Sequence, residues 1–165
     1  KKASTDENLC IYCINLSAPT VADENFLDFI IEQLEIHEIG GENFCFEVTE
    51  TTTIGNMNLA INFIQNLKKT GCSFALDDFG SGFSSFNYLK NLPVDYLKID
   101  GTFVKDMEED GINSAMVEAM NNLGHVIGKK TIAEFVTNEN ILERLRAIQV
   151  DFAQGYYIGK PKALS

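Results

Sequence analysis

The sequence has little positive charge and no long hydrophobic run. Of its 165 residues, 13 are lysine or arginine and 24 are aspartate or glutamate, so the formal net charge is −11. A protein that binds duplexes by neutralising phosphates needs a basic surface, and we therefore expect no DNA binding. No apolar run approaches the ~20 residues of a membrane-spanning helix. We expect a cytoplasmic protein, or the cytoplasmic part of a membrane-anchored one.

Cysteine is also scarce, with Cys10, Cys13, Cys45 and Cys72 as the four examples. The C-x-x-C spacing of the first two could indicate a zinc or redox site. A second C-x-x-C or an H-x-x-H is missing, however, and the cysteines lie in or beside apolar runs. We therefore predict buried free thiols in a reducing compartment.

Short apolar runs alternate with longer segments of helical periodicity. The runs are typical of strands buried on both faces and lie at residues 10–16, 44–48, 73–76, 96–99, 130–133 and 150–153. The helical segments lie at 23–39, 56–69, 114–127 and 138–149. In the third helix the spacing places Met116, Met120, Leu123 and Ile127 together, as in an amphipathic helix. The alternation predicts an α/β fold with a parallel sheet.

Two architectures fit this alternation, an open doubly wound sheet and a (β/α)8 barrel of the TIM type. A complete barrel typically has ~250 residues and eight strands. The six units within 165 residues therefore predict either an open sheet or a barrel whose first strands are absent. Since no Pro-rich or Gly/Ser-rich linker interrupts the chain, we expect a single domain over residues 1–165.

Polar residues follow almost every predicted strand near its carboxyl end. They are Asn15, Glu47, Asp77, Asp78, Lys98, Asp100, Glu134 and Gln154. One acid after one strand is usually a helix cap or a solvated loop residue. Six successive strands with this pattern favour a functional site, because barrel enzymes place their active sites at this edge. Burying so many carboxylates without a counter-charge would also be costly.

The donor atoms in this set are carboxylate and amide oxygens. His37 and His125 both lie in helical segments, away from the strand ends. Oxygen donors suit Mg²⁺ or Mn²⁺ better than Zn²⁺. The adjacent acids Asp77 and Asp78 could share two ions ~3.5–4 Å apart, which is the arrangement used to cleave phosphodiesters. Lys98 could bind water or phosphate oxygens, or form a structural ion pair with Asp77 or Glu134.

Residues 78–85 read DFGSGFSS and predict a loop that leads into a helix. The N-terminus of that helix could face a phosphate. The DFG triplet also occurs in protein kinases, but the other kinase signatures are missing.

Several segments together resemble the EAL domain family, over about Asn15 to Pro161. The matching segments are INLS at 14–17, EVTE at 47–50, DDFGSGFSS at 77–85, LKID at 97–100, AE at 133–134 and QGY at 154–156. The resemblance implies a (β/α)8-type barrel that hydrolyses cyclic di-GMP to linear pGpG with two Mg²⁺ or Mn²⁺ ions. In this family a homodimer is expected, often attached to sensor or GGDEF domains.

The resemblance also implies roles for individual residues. Asn15, Glu47 and Asp77 would hold one ion, and Asp77, Asp78 and Glu134 the second. Lys98 would position the attacking water, and Glu134 and Gln154 would complete the catalytic group. Supporting roles would fall to the loop residues Glu50, Phe79 and Gly80 and to the substrate-binding residues Gly155, Tyr156 and Pro161.

The sequence departs from the family pattern in two places. The E-A-L motif, with its metal-binding glutamate, and a phosphate-binding arginine would precede Asn15 and are absent, as are the strands that carry them. Phe135 and Thr137 stand where the family usually has glycine and a second glutamate. Two other functions therefore stay open: a receptor that binds cyclic di-GMP without cleaving it, and a scaffold that binds a protein partner.

Overall fold

The structure is a computed structural model that describes residues 11–55, 57–81 and 88–163. Six strands are neighbours in one sheet and follow the order of the chain. A doubly wound sheet reverses its strand order at a switch point, whereas a (β/α)8 barrel adds each strand beside the preceding one. The strand order therefore confirms the α/β prediction and favours the barrel architecture.

The first of two compact units comprises Lys1–Leu76 and Phe86–Asp95. Its strands are β1 (Tyr12–Leu16), β2 (Phe44–Thr49) and the start of β3 (Ser73–Phe79). Its helices are α1 (Ala18–Val21), α2 (Glu24–Ile36), α3 (Glu50–Gly55) and α4 (Met57–Lys68). Strands β1 and β2 are parallel. The core of this unit centres on Phe74, which packs against Phe46 and meets the edge of Phe63.

The second compact unit comprises Asp77–Ser85 and Tyr96–Ser165. It contains the end of β3 and the parallel strands β4 (Tyr96–Ile99), β5 (Lys130–Ala133) and β6 (Phe152–Ala153). Its helices are α5 (Gly101–Val104), α6 (Gly111–Val126) and α7 (Glu139–Ala147). Leu97, Ile99, Ile141 and Leu145 are buried in its core, and each contributes about 1.5–3 kcal/mol when fully buried.

The four predicted helices are confirmed, with caps that explain where they begin. The carboxylate of Asp23 accepts a hydrogen bond from Asn25 N at the start of α2, and Asn138 does the same for Ile141 N at the start of α7. Helix α6 begins three residues before the predicted start at residue 114, because Asp110 caps Ile112 N. Each cap satisfies a backbone N–H that has no partner within the helix.

The helix predicted after the loop 78–85 falls partly on residues 82–87, which lie outside the described residues, and Tyr88–Asn91 forms a turn. Two other expectations need correction. The buried face of α6 is formed by Val117, Met120, Asn121 and Gly124, whereas Met116 is exposed. Strand β1 is largely exposed, because it forms an edge of the described sheet.

The cysteine prediction is confirmed at two positions and wrong at a third. Cys45 and Cys72 are buried free thiols, but Cys13 is exposed on β1, and Cys10 lies outside the described residues. Cys13 is paired in register with Cys45. The hydrogen bond between their thiols, with burial and the nearby Glu47 charge, raises the pKa of Cys13. A thiol that holds its proton is a poor nucleophile and metal ligand.

Candidate active site

Two acids at the end of β3 and one directly after β5 meet at the carboxyl edge of the second unit. Backbone hydrogen bonds continue beyond the strand ends: Asp100 N donates to Phe79 O over 3.2 Å, and Gln154 N donates to Ala133 O over 2.8 Å. These bonds hold the segments after the strands side by side. Polar side chains that follow different strands are therefore brought to one edge of the sheet.

Asp77 and Asp78 both turn their carboxylates toward Glu134. One oxygen from each of these three residues lies within 4.8 Å of the others, and no other such group occurs in the parts of the chain that the structure describes. Successive side chains of a regular strand point to opposite faces. Asp78 breaks this alternation, because its backbone has a φ of 55°. Aspartate tolerates this left-handed conformation better than most residues.

Lys98 lies between two of these carboxylates. Its Nζ atom is 2.8 Å from Asp77 Oδ1 and 2.9 Å from Glu134 Oε1, and its side chain is 4% exposed. The contact with Asp77 lacks good hydrogen-bond angles, but the attraction between two charges at this distance does not depend on those angles. The structural ion pair considered for Lys98 is therefore present with both acids.

The site carries more negative than positive charge. Asp77, Asp78 and Glu134 carry three negative charges when ionised, and Lys98 carries one positive charge. Burial raises the pKa of Asp78, and the charges of Asp77 and Asp100 raise it further, while Lys98 partly opposes them. A divalent cation would relieve this repulsion. The donors are all carboxylate oxygens, so the residues fit Mg²⁺ or Mn²⁺.

A cavity of about 590 Å³ opens beside Glu134 and Gln154. This volume is within the range of small-molecule sites. The remaining lining residues include all three predicted substrate-binding positions; they are Phe135, Thr137, Gly155, Tyr156, Gly159, Lys160 and Pro161.

Two contacts shape this cavity. A Cβ atom added to Gly155 would lie 2.3 Å from the backbone N and O atoms of Val136. Glycine is therefore required for the close approach of these two segments. At the neighbouring residue Tyr156, the Lys160 ammonium lies 5.6 Å from the centre of the aromatic ring. This is a favourable cation–π distance.

The first unit contains the other predicted ligands. Asn15 of β1 is paired in register with Glu47 of β2, so the two side chains leave the same face of the sheet. Glu47 is buried at 6% exposure. Buried Glu50 accepts a 2.7 Å hydrogen bond from the Tyr88 hydroxyl, and its Oε2 atom has no hydrogen-bond partner among the described residues. In the second unit Phe79 is buried and Gly80 has a φ of 100°.

Sequence patterns alone missed Tyr88, Lys160 and the cavity-lining roles of Phe135 and Thr137. Tyr88 follows the loop by several residues and carries no strand-end signal. Phe135 directly follows a predicted ligand, but its position in the cavity depends on a backbone φ of 54° that apolar patterning does not encode.

Comparisons with known proteins agree with one another. The profile of the EAL domain family matches residues 2–161. The chain is 45% identical over 152 residues to the cyclic di-GMP phosphodiesterase PdeB of Shewanella oneidensis, covering 92% of this chain and 18% of that protein. It is 37% identical over 154 residues to the cyclic di-GMP phosphodiesterase PdeA of Borreliella burgdorferi, covering 93% and 23%. The chain thus spans about a fifth of the length of these curated relatives.

Solved structures resemble the fold closely. The MucR phosphodiesterase in complex with c-di-GMP superposes with a TM-score of 0.86 at 32% identity, covering 92% of this chain and 61% of that one. The FimX EAL domain from Pseudomonas aeruginosa bound to c-di-GMP superposes with a TM-score of 0.87 at 27% identity, covering 92% and 62%.

Proposed function

Because this chain belongs to the EAL domain family, we propose that it hydrolyses cyclic di-GMP to linear pGpG as a metal-dependent phosphodiesterase. The observation that carries the proposal is the group formed by Asp77, Asp78 and Glu134 around Lys98. We further propose that residues 1–165 form part of one such domain. The names of the relatives support the substrate.

Asp77, Asp78 and Glu134 would hold a Mg²⁺ or Mn²⁺ ion, and the family resemblance assigns Asn15 and Glu47 as further metal ligands. The ions would supply Lewis-acid stabilisation and a nucleophile at neutral pH. Lys98 is held by two carboxylates at the edge where the phosphate would bind. Its positive charge would orient water and favour the negative charge that develops on the phosphate oxygens.

The flanking residues would bind the rest of the substrate. Gln154, Gly155, Tyr156 and Pro161 line the cavity next to Glu134. Glu50, Phe79 and Gly80 would support the loop that follows Asp78. We propose a homodimer, with sensor or GGDEF domains attached in the full protein, as the family resemblance implies.

The direct test is metal-dependent formation of linear pGpG. The full natural protein that contains these residues is incubated with cyclic di-GMP and Mn²⁺, and the products are separated by chromatography, with EDTA as the metal-free reference. The Glu134→Gln variant should lose at least about 100-fold in kcat, because it removes one carboxylate ligand without changing the side-chain shape.

Glu118→Gln is the matched control, because Glu118 is an exposed acid on α6 away from the cavity. It should hydrolyse the substrate at the rate of the unmodified protein. Strong residual hydrolysis by Glu134→Gln would contradict the ligand assignment. Binding of intact cyclic di-GMP without product would instead indicate a receptor, and neither binding nor product would leave the scaffold function.

A further inference from the structure

Phe135 is a large aromatic residue that the second unit leaves exposed. Its side chain is 63% exposed and lines the cavity beside Glu134. Its neighbour Val136 is fully buried, and Val136 N donates a 3.0 Å hydrogen bond to Gln154 O. The backbone on both sides of Phe135 is therefore anchored, since Glu134 N also donates to Ile99 O over 3.4 Å. The ring is exposed on a fixed backbone.

The backbone conformation of Phe135 is unfavourable for a bulky residue. Its φ of 54° lies in the left-handed region, where a phenylalanine is an outlier. Glycine would adopt this conformation without strain. Strained residues of this kind cluster at functional sites, so the exposed ring requires an explanation beyond folding.

Gly101 leaves space for this ring. A Cβ atom added at Gly101, the first residue of α5, would lie 2.1 Å from Phe135 Cδ2 and 2.6 Å from Phe135 Cγ. One edge of the ring therefore rests directly on the Gly101 backbone. Gly101 is buried and Phe135 is exposed, so the Gly101 backbone supports one edge of the ring while the rest of the ring lines the cavity.

We propose that the Phe135 ring stacks on a guanine base of the substrate and is a substrate-binding residue. This inference rests on the proposed function. The cavity volume of about 590 Å³ exceeds the needs of a phosphate alone, and a base is flat and apolar enough to cover an exposed ring. Phe135 and Glu134 line the same cavity, so the stacked base would lie beside the cluster of Asp77, Asp78 and Glu134.

The test separates binding from chemistry. Phe135→Gly removes the ring and relieves the backbone strain. Its KM for cyclic di-GMP should rise about 5- to 150-fold, the range that corresponds to about 1–3 kcal/mol of base–aromatic stacking. Its kcat should stay within about 2-fold, because stacking is present equally in the bound substrate and the transition state. Its melting temperature should not fall. If Phe135 had only a structural role, weaker binding would be accompanied by a lower melting temperature.

Three further variants locate the effect. Phe135→Tyr keeps a stacking ring and should keep the KM of the unmodified protein. Gly101→Ala should raise KM, because the new Cβ displaces the ring without removing it. Tyr157→Ala is the control, since Tyr157 is an exposed aromatic that does not line the cavity, and it should leave KM unchanged.

The outcomes separate this inference from the proposed function. An unchanged KM in Phe135→Gly, in a protein that cleaves cyclic di-GMP, overturns the stacking alone. If the protein binds the dinucleotide without cleaving it, the same comparison is made with Kd. If the unmodified protein neither binds nor cleaves cyclic di-GMP, the proposed function and the stacking are both overturned.

Discussion

Lys98 determines the charge balance of the candidate active site. A buried ammonium group between two carboxylates compensates part of their charge, but it leaves Asp78 with a raised pKa. The lysine and a divalent cation therefore act on the same carboxylates. Removing either the lysine or the divalent cation should lower the free energy of unfolding. Each of the two positive charges should partly compensate for the loss of the other.

The variant Lys98→Met tests this balance. Removing one partner of a buried ion pair typically costs about 3–5 kcal/mol in the free energy of unfolding, because the remaining charges stay buried without compensation. We expect a loss of about 3 kcal/mol in EDTA and a smaller loss with Mn²⁺ present, measured by urea denaturation. Lys105→Met is the control, because Lys105 pairs with Asp106 at the surface, and it should change stability by at most about 1 kcal/mol. Equal losses in both variants would contradict a buried compensating role for Lys98.

The close approach of Asp77 and Glu134 could be predicted from the sequence, because the strand ends of a parallel sheet share one edge. Asp77 and Glu134 follow apolar runs, and the sheet places them together. The orientation of Asp78 could not be predicted, since it depends on one left-handed torsion. The cavity position of Phe135 likewise depends on a backbone torsion and on the space above Gly101.

At the level of elements, strands were easier to predict than buried helix faces. The runs 96–99 and 130–133 coincide with β4 and β5, because strands buried on both faces are continuously apolar. The apolar stripe of α6 shares only Met120 with the buried face, which also includes the polar Asn121. The Asn121 amide donates a 2.7 Å hydrogen bond to Ile148 O, and its carbonyl accepts one from the Thr131 hydroxyl. These partners are distant in sequence, so hydrophobic periodicity cannot predict the hydrogen bonds.

The close packing of α6 against β5 requires glycine at position 124. A Cβ atom at Gly124 would lie 2.7 Å from Thr131 Cγ2, so α6 can approach β5 this closely only with glycine at that position. The short helices α1, α3 and α5 were also missed, because each has six residues or fewer. Such segments are too short to show a helical period.

Asp151 connects α6, β5 and the start of β6, and it should make stability depend on pH. Burial alone would raise the pKa of its carboxyl, but hydrogen bonds from Thr131 N and the His125 ring outweigh burial and lower it. An aspartate with a lowered pKa stabilises the fold above its unfolded pKa of about 3.9. That contribution is lost as the pH falls through the folded pKa. The destabilisation by Asp151→Asn should therefore be larger at pH 6 than at pH 3 in urea denaturation. Asp106→Asn is the exposed control, and an equal effect of Asp151→Asn at both pH values would contradict the lowered pKa.

The whole molecule carries a net charge of −11, so cations accumulate around it without any specific site. Stabilisation by a divalent ion is therefore not sufficient evidence for a metal centre. Within the described ranges, no helix is long and apolar enough to cross a membrane. A specific site must be distinguished from the general acidic surface by variants that change the net charge equally.

Asp78→Asn and Glu118→Gln provide that comparison, since each removes one negative charge. Mn²⁺ at about 100 times its Kd should stabilise the unmodified protein by about 2.7 kcal/mol. Asp78→Asn should melt at a higher temperature than the unmodified protein in EDTA, because a raised pKa means that the folded state disfavours the ionised carboxylate. The same variant should lose most of the Mn²⁺-dependent shift, whereas Glu118→Gln should keep it. A full shift in Asp78→Asn would place the stabilising ions elsewhere on the acidic surface.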